Sequence, residues 1–303
     1  MFVFDLHSDT LFKSMVLNKP LDYCGYEFRM EDFFKSEKWI QCMAMWIPDD
    51  LSELPLQYRD RPLIDFFIDG AEKLNSECKK LSIPYIKDSM CSKGFILTLE
   101  NSSLLDNKIE NIEILSKYNV KLATLTWNAH NCVGDGAGVE NPKGLTDFGK
   151  EVVKEYNRNN IAIDLSHASD TLFYDVASIN KGKIVASHSN SRKICNHKRN
   201  LTDEQFCYIR DNNGLVGLNF HKYFLKEDGN AGIDDLICHA EHFLSLNGEN
   251  TLAIGSDFDG SEIPREISNT SGLVKIYNKF IAKGISKEIT DKIFYKNAFN
   301  FFN

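Results

Sequence analysis

Paired cysteines are absent. The 303-residue chain has eight of them (Cys24, Cys42, Cys78, Cys91, Cys132, Cys195, Cys207 and Cys238), scattered with no CxxC and no repeated spacing. That argues against a disulfide scaffold and a thiolate metal site, and predicts reduced thiols, several of them buried, in a cytoplasmic protein. A basic stripe is also missing. The net charge is −8 and Lys and Arg are dispersed, so neither nucleic acid nor an acidic membrane surface is expected as a partner. The longest apolar run, "CMAMWI", is far too short to span a bilayer. The N-terminus lacks a basic segment followed by a long apolar one, and cleavage there would remove His7, so no secretory leader is expected. With only 7 prolines and no Ser-rich or Gly-rich linker, no domain boundary suggests itself, and residues 1–303 are expected to form one domain. A chain this long, 43% hydrophobic, can bury a core without staples. No GxGxxG follows the first apolar run, which weighs against a dinucleotide-binding doubly wound sheet.

What the chain does have is eight short β-rich runs separated by helical periodicity: "FVFDLHSD" (2–9), "WIQCMAMWI" (39–47), "GFILTLEN" (94–101), "VKLATLTWN" (120–128), "IAIDLSHAS" (161–169), "KIVASHSN" (183–190), "GLVGLNF" (214–220) and "TLAIGSDFDG" (251–260). Several are continuously apolar, as parallel strands covered on both faces are. Apolar residues recur three and four apart in "PLIDFFIDGAEKLNSECKKL" and "LTDFGKEVVKEYNRNN". Thr202 followed by Gln205 marks a capped helix start. Strand–helix alternation with eight strands predicts an α/β fold, a (β/α)8 TIM barrel. The long intervals 48–93 and 221–250 are expected to carry extra helices or loops above it.

Five of the runs end in ionisable residues. His7 and Asp9 end the first and share a face if the strand's alternation persists. Glu100 ends the third, His167 the fifth, His188 the sixth, and Asp257 and Asp259 the eighth. One histidine near a strand end is ordinarily a hydrogen-bonded rim residue, and "DFDG" alone is ordinarily a turn. Five such endings, each after an apolar run that gains nothing from them, point instead to one site, because all C-terminal strand ends of a parallel barrel share a face. Imidazole and carboxylate ligands suit Zn²⁺ and its neighbours, and two His–carboxylate groups with a shared carboxylate suit two ions.

The motifs "DLHSDT", "LTWN", "IAIDLSHAS", "ASHSNSR" followed by "HKRNLTDEQ", "GLVGLNF" and "GSDFDG", in this order, resemble the renal (membrane) dipeptidase family of zinc metallopeptidases, in its bacterial form. The closing "KIFYKNAFNFF" resembles that family's C-terminal helix, so the likeness spans essentially the whole chain. It implies a metallo-dependent hydrolase barrel of the amidohydrolase type with two Zn²⁺, other divalent metals remaining open. By the same resemblance His7 and Asp9 hold one ion, His167 and His188 the other, and Glu100 bridges them. Asp257 stands beside the nucleophile, a hydroxide between the ions, and with Glu100 makes up the catalytic pair. Arg199 grips the free C-terminal carboxylate of a small dipeptide. Asn128, His221 and His130 are expected to line the substrate pocket. The animal enzymes carry a carbonyl-polarising histidine where Trp127 stands here, and either His130 or His221 is its candidate replacement. They also have Gly-Gly after the bridging glutamate, where this chain has Asn101 and Ser102. Members of that family are often dimers, and by the resemblance a homodimer is one expected assembly.

Two other functions stay open at this point. One is a different amide hydrolase on the same barrel, acting on N-acyl amino acids or cyclic amides. The other is a metal-binding barrel without activity, which the retention of Asp257 argues against, since a silent scaffold needs no proton shuttle.

Overall fold

The computed structural model describes residues 1–87 and 91–303. Eight parallel strands close into a barrel in sequence order: β1 Val3–Asp5, β2 Trp39–Trp46, β3 Lys93–Glu100, β4 Leu122–Thr124, β5 Ala162–Asp164, β6 Ile184–Ala186, β7 Leu215–Leu218 and β8 Leu252–Ile254. The pairing Asp5↔Ile254 joins β1 to β8. This is the (β/α)8 barrel that the alternation predicts. Apart from β2 and β3, the strands are shorter than the apolar runs that contain them.

One side chain from each strand fills the interior: Phe4, Ile40, Ile96, Leu122, Ala162, Val185, Leu215 and Ala253, all fully or almost fully buried. Burying an apolar side chain of Val, Leu, Ile or Phe size contributes about 1.5–3 kcal/mol. Below this layer the C-terminal helix closes the barrel. Phe302 stacks on Phe4 at 5.4 Å, and Asn297 Nδ2 donates to Leu252 O at 2.8 Å, tying the helix to β8. This helix covers the bottom of the barrel, at the end opposite the C-terminal mouth.

The outer helices follow the periodicity read from the sequence. Helix Leu63–Leu81 buries Phe66, Phe67, Gly70, Ala71, Leu74 and Cys78, one face of a 3.6-residue repeat. Helix Asp147–Arg158 starts where the Thr146 side chain accepts from Gly149 N, and buries Val152, Val153 and Tyr156. Helix Asp203–Asp211 carries the Thr202–Gln205 capping box in both directions. The two long intervals hold short helical turns at Leu51–Glu53 and Leu56–Tyr58, and helices Lys222–Leu225 and Ile233–Ser245. All eight cysteines are free. Among the described residues no helix is long and apolar enough to cross a membrane.

Candidate active site

Beyond β1 the chain stays extended: Ser8 bridges Phe258 in parallel, its carbonyl accepts from Ala44 N, and Asp9 N donates to Phe258 O. His7 and Asp9 therefore keep to one face although both lie past the regular strand, and His7 Nε2 stands 3.2 Å from Asp9 Oδ2. Glu100 is the last residue of β3. His167, His188 and Asp257 sit two or three residues beyond β5, β6 and β8. His167 and Asp257 take left-handed backbone, φ 69° and 63°. For a residue with a Cβ that conformation costs about 1–2 kcal/mol, and it turns the chain sharply at the barrel mouth.

These side chains converge. Glu100 Oε1 lies 2.9 Å from His167 Nε2 and 3.8 Å from His188 Nε2, while Oε2 lies 3.4 Å from His7 Nε2. One carboxylate thus faces two histidine groups with separate oxygens. Ligand atoms of His7, Glu100 and His188 lie within 4.8 Å of one another, as do those of His7, Asp9 and Asp257. All six residues are at least nine-tenths buried.

The protonation pattern tests whether this set fits a cation. His167 Nδ1 meets Asn128 Oδ1 at 3.0 Å, so Nδ1 carries the hydrogen and Nε2 the lone pair. His188 Nδ1 meets Ser187 Oγ at 2.8 Å, and that hydroxyl's one hydrogen goes to Asp164 Oδ2, so His188 also presents a bare Nε2. The two Nε2 atoms are 2.9 Å apart. Two lone pairs at that distance, with a carboxylate oxygen beside them, repel unless a cation lies among them. Asp9 Oδ1 is a further buried oxygen without a hydrogen-bond partner. The donor set, imidazole nitrogen and carboxylate oxygen with no thiolate, fits divalent zinc or a similar ion.

Charge and burial work against each other here. Burial, joined by the charges of Arg199 and His7, holds the His167 and His188 imidazoles well below the ordinary histidine value and so neutral. Burial alone would lower His7 as well, but Glu100 and Asp9 beside it raise it well above. Burial pushes the Glu100 and Asp257 carboxyls up, against the pull of His7.

A cavity of about 520 Å³ opens over the cluster, lined on one side by Phe12, Trp46 and Trp127 and on another by His221 and Phe224. Trp127 packs 4.9 Å from Trp46 and 5.8 Å from His167, so it is part of the site's wall. Asn128 also lines the cavity, with its side-chain oxygen committed to His167. His221 Nδ1 accepts from Glu262 N at 3.2 Å, which leaves the hydrogen on Nε2, and burial lowers its pKa to about 4. It is a neutral N–H donor at ordinary pH. Arg199 is 6% exposed, and its Nε and Nη2 have no hydrogen-bond partner. Its Cζ lies 5.3 Å over the Phe224 ring.

His130 lies apart from the cavity lining. Its Nδ1 pairs with Asp135 Oδ1 at 2.6 Å, and its side chain is 65% exposed in a separate surface depression with Val139 and Lys143. An isolated antiparallel bridge joins His130 to Asp135, and His130 is not among the residues that line the cavity. Asp259 is taken up otherwise too: its buried carboxylate accepts from Thr10 Oγ1, Lys13 Nζ, Glu27 N and Phe28 N, which pins the 27–28 segment to the rim. A Cβ at Gly260 would stand 1.9 Å from Asp9 Oδ2, so a larger residue there would displace the Asp9 carboxylate. Sequence reasoning passed over Asn219, whose Nδ2 donates to Asp257 Oδ2 at 3.1 Å, and the buried Asp5 and Asp164. The only signal for the last two was a charged residue inside an apolar run.

A parallel barrel with an imidazole–carboxylate cluster at its C-terminal mouth defines a metal-dependent hydrolase. The family model "Membrane dipeptidase (Peptidase family M19)" matches residues 74–303. The chain belongs to that family and is by that membership a metal-dependent dipeptidase. It is 32% identical over 214 residues to an uncharacterized protein in the pqqA 5′ region of Klebsiella pneumoniae, covering 67% of this chain and 79% of that one. It is 29% identical over 172 residues to an uncharacterized dipeptidase of Schizosaccharomyces pombe, covering 55% of this chain but only 42% of the yeast protein. The solved structure of the dipeptidase AC, a metallopeptidase of family M19, superposes with a TM-score of 0.88 at 25% identity, covering 100% of this chain and 98% of that one.

Proposed function

We propose that this chain, acting as one catalytic barrel domain in the cytoplasm, hydrolyses the peptide bond of small dipeptides with a free C-terminal carboxylate. Two divalent cations, Zn²⁺ first among them, would be held by His7 with Asp9 and by His167 with His188, and shared through Glu100. The observation that carries this reading is the pair of bare Nε2 atoms 2.9 Å apart beside Glu100 Oε1, an arrangement of acceptors that calls for cations. The free cysteines support the location.

When bound, such ions supply Lewis acidity, which lowers the pKa of a water and polarises a carbonyl. The rest of the chemistry falls to this chain's own groups. Asn219 holds Asp257 by Oδ2, which leaves Oδ1 free towards His7. That oxygen takes the proton from the attacking water and delivers it to the departing amine, a poor leaving group until protonated. Its raised pKa suits a group that must both accept and give a proton near neutrality. Arg199 offers its unpartnered N–H groups to the substrate's carboxylate, and a planar fork matches a carboxylate as an ammonium does not. His221 Nε2–H is the donor in the cavity that stands in for the histidine replaced by Trp127. The aromatic side of the cavity excludes water from the reacting bond.

Elemental analysis of purified protein, native and Glu100→Ala, together with a panel of dipeptides, N-acyl amino acids and cyclic amides, tests the proposal. The expected result is two ions in the native chain, nearly none in Glu100→Ala, and fastest turnover on a dipeptide. Two ions retained by Glu100→Ala would remove the bridging role. Faster turnover of an N-acyl amino acid or cyclic amide would move the assignment to another amide hydrolase, and no turnover at all to a silent metal-binding barrel.

A further inference from the structure

Two buried aspartates outside the ligand set occupy matching places across the barrel. Asp5 ends β1 and Asp164 ends β5. Asp5 Oδ1 accepts from Ser256 N at 2.9 Å and His7 N at 3.3 Å, and Oδ2 accepts from Ser256 Oγ at 2.5 Å. Asp164 Oδ1 accepts from Ser187 N at 2.9 Å and Ser166 N at 3.0 Å, and Oδ2 accepts from Ser187 Oγ at 2.5 Å and Thr124 Oγ1 at 2.8 Å. Each carboxylate thus clasps the backbone and the hydroxyl of a serine just past the adjacent strand, β8 for Asp5 and β6 for Asp164. Ser256 immediately precedes Asp257, and Ser187 immediately precedes His188. Each aspartate also stands two or three residues ahead of a histidine of the cluster, His7 or His167.

The clasps decide where protons lie. With four donors, Asp164 is an acceptor only. Ser187 has a single hydroxyl hydrogen, directed at Asp164, so towards His188 it can only accept. His188 must then carry its hydrogen on Nδ1 and turn Nε2 bare into the site. On the other side, Ser256 Oγ, held by Asp5, receives Phe258 N at 3.2 Å, so the clasp brackets Asp257 from both neighbours. Asp257 and His167 both take left-handed backbone, and such backbone persists only where its surroundings fix it.

We propose that Asp164 and Asp5 are positioning residues for the hydrolysis: Asp164 acts through Ser187 to set the tautomer and aim of His188, and Asp5 acts through Ser256 to set the direction of Asp257. This rests on the ligand and proton-transfer roles proposed above. Outer partners of this kind fix a ligand's ring and proton, and their loss typically weakens metal binding about 10–100-fold.

Ser187→Ala is the informative variant, because the Ser187 backbone N–H still bonds Asp164 and the fold is kept. Zn²⁺ affinity is read on the full chain by competition with a chromophoric chelator, and the histidine tautomers by ¹⁵N-histidine NMR, with His188→Ala as reference. The expected result is Nδ1-protonated His188 in the native protein, loss of that fixed tautomer in Ser187→Ala, and about 10–100-fold weaker binding of one Zn²⁺ with the other unchanged. Ser256→Ala should keep both ions and lower kcat with little change in KM. Native affinity at both sites in Ser187→Ala would overturn the clasp, as would equal weakening of both. If His188→Ala itself binds both ions normally, the ligand assignment falls first, and the clasp with it.

Discussion

Asn219 Nδ2 holds Asp257 Oδ2 at 3.1 Å, while Asp257 Oδ1 stands free, 4.0 Å from His7 Nε2. One oxygen is anchored and the other is available, which is what a carboxylate needs if it is to move a proton without moving itself. Asp257→Asn preserves the shape but cannot accept the proton. The expected outcome is full metal content, near-native KM, and kcat lower by roughly 10²–10⁴, the usual worth of a positioned general acid–base. Steady-state kinetics on metal-replete variant decides it, and near-native kcat would end the shuttle role. Asp259 would not inherit that role, because its oxygens already serve four donors.

The rim segment that Asp259 pins carries a pH-dependent cost. Burial pushes the Glu27 carboxyl up to about 7, with a bond from Asp259 N pulling the other way and the charge of Asp259 adding to the rise. An unfolded glutamate titrates near ~4.3. Between those values the folded chain holds a proton that the unfolded chain releases. Stability from this group is therefore complete below the unfolded value and is lost as pH rises towards about 7. Glu27→Gln should match the native protein near pH 4 and exceed it at pH 8, by on the order of 1–3 kcal/mol. Urea unfolding of the metal-free proteins at both pH values measures this. A variant less stable than native at pH 8 would show that the ionised carboxylate is favoured in place.

How much of this was legible in the sequence depends on how local each signal is. The eight strands announce themselves as apolar runs, and the Thr202–Gln205 capping box needs only four consecutive residues. The clustered histidines and carboxylates were readable because each closes such a run at a place where an apolar core has no use for it. Asp5 and Asp164 lie within the runs, and their meaning depends on Ser256 and Ser187, 251 and 23 residues away. No periodicity reports that pairing. His130 stands three residues from Trp127 in sequence, yet its bond to Asp135 holds it in a different depression from the one Trp127 lines.

Arg199 is the group whose chemistry is most exposed to test. Its guanidinium is buried, lies over Phe224, and leaves Nε and Nη2 without partners. Burial pulls its pKa down to about 10, against the charges of Asp257 and Glu100, so it stays cationic through the working range. A buried cation with unused donors is costly unless an anion completes it, and a dipeptide's C-terminal carboxylate has the matching planar geometry. A charge-assisted contact of this kind contributes about 1.5–3 kcal/mol, or roughly one to two decades in kcat/KM. Arg199→Ala should lose at least that factor on a free dipeptide and hardly change turnover of the same dipeptide amidated at its C-terminus, which the native enzyme should already cleave poorly. Paired kcat/KM measurements on the two substrates separate the cases. Equal losses would mean that Arg199 supports the loop between β6 and helix Asp203–Asp211 and does not read the carboxylate. A native preference for the amidated form would bring down the dipeptide assignment itself, because Arg199 is the one buried arginine or lysine among the described residues.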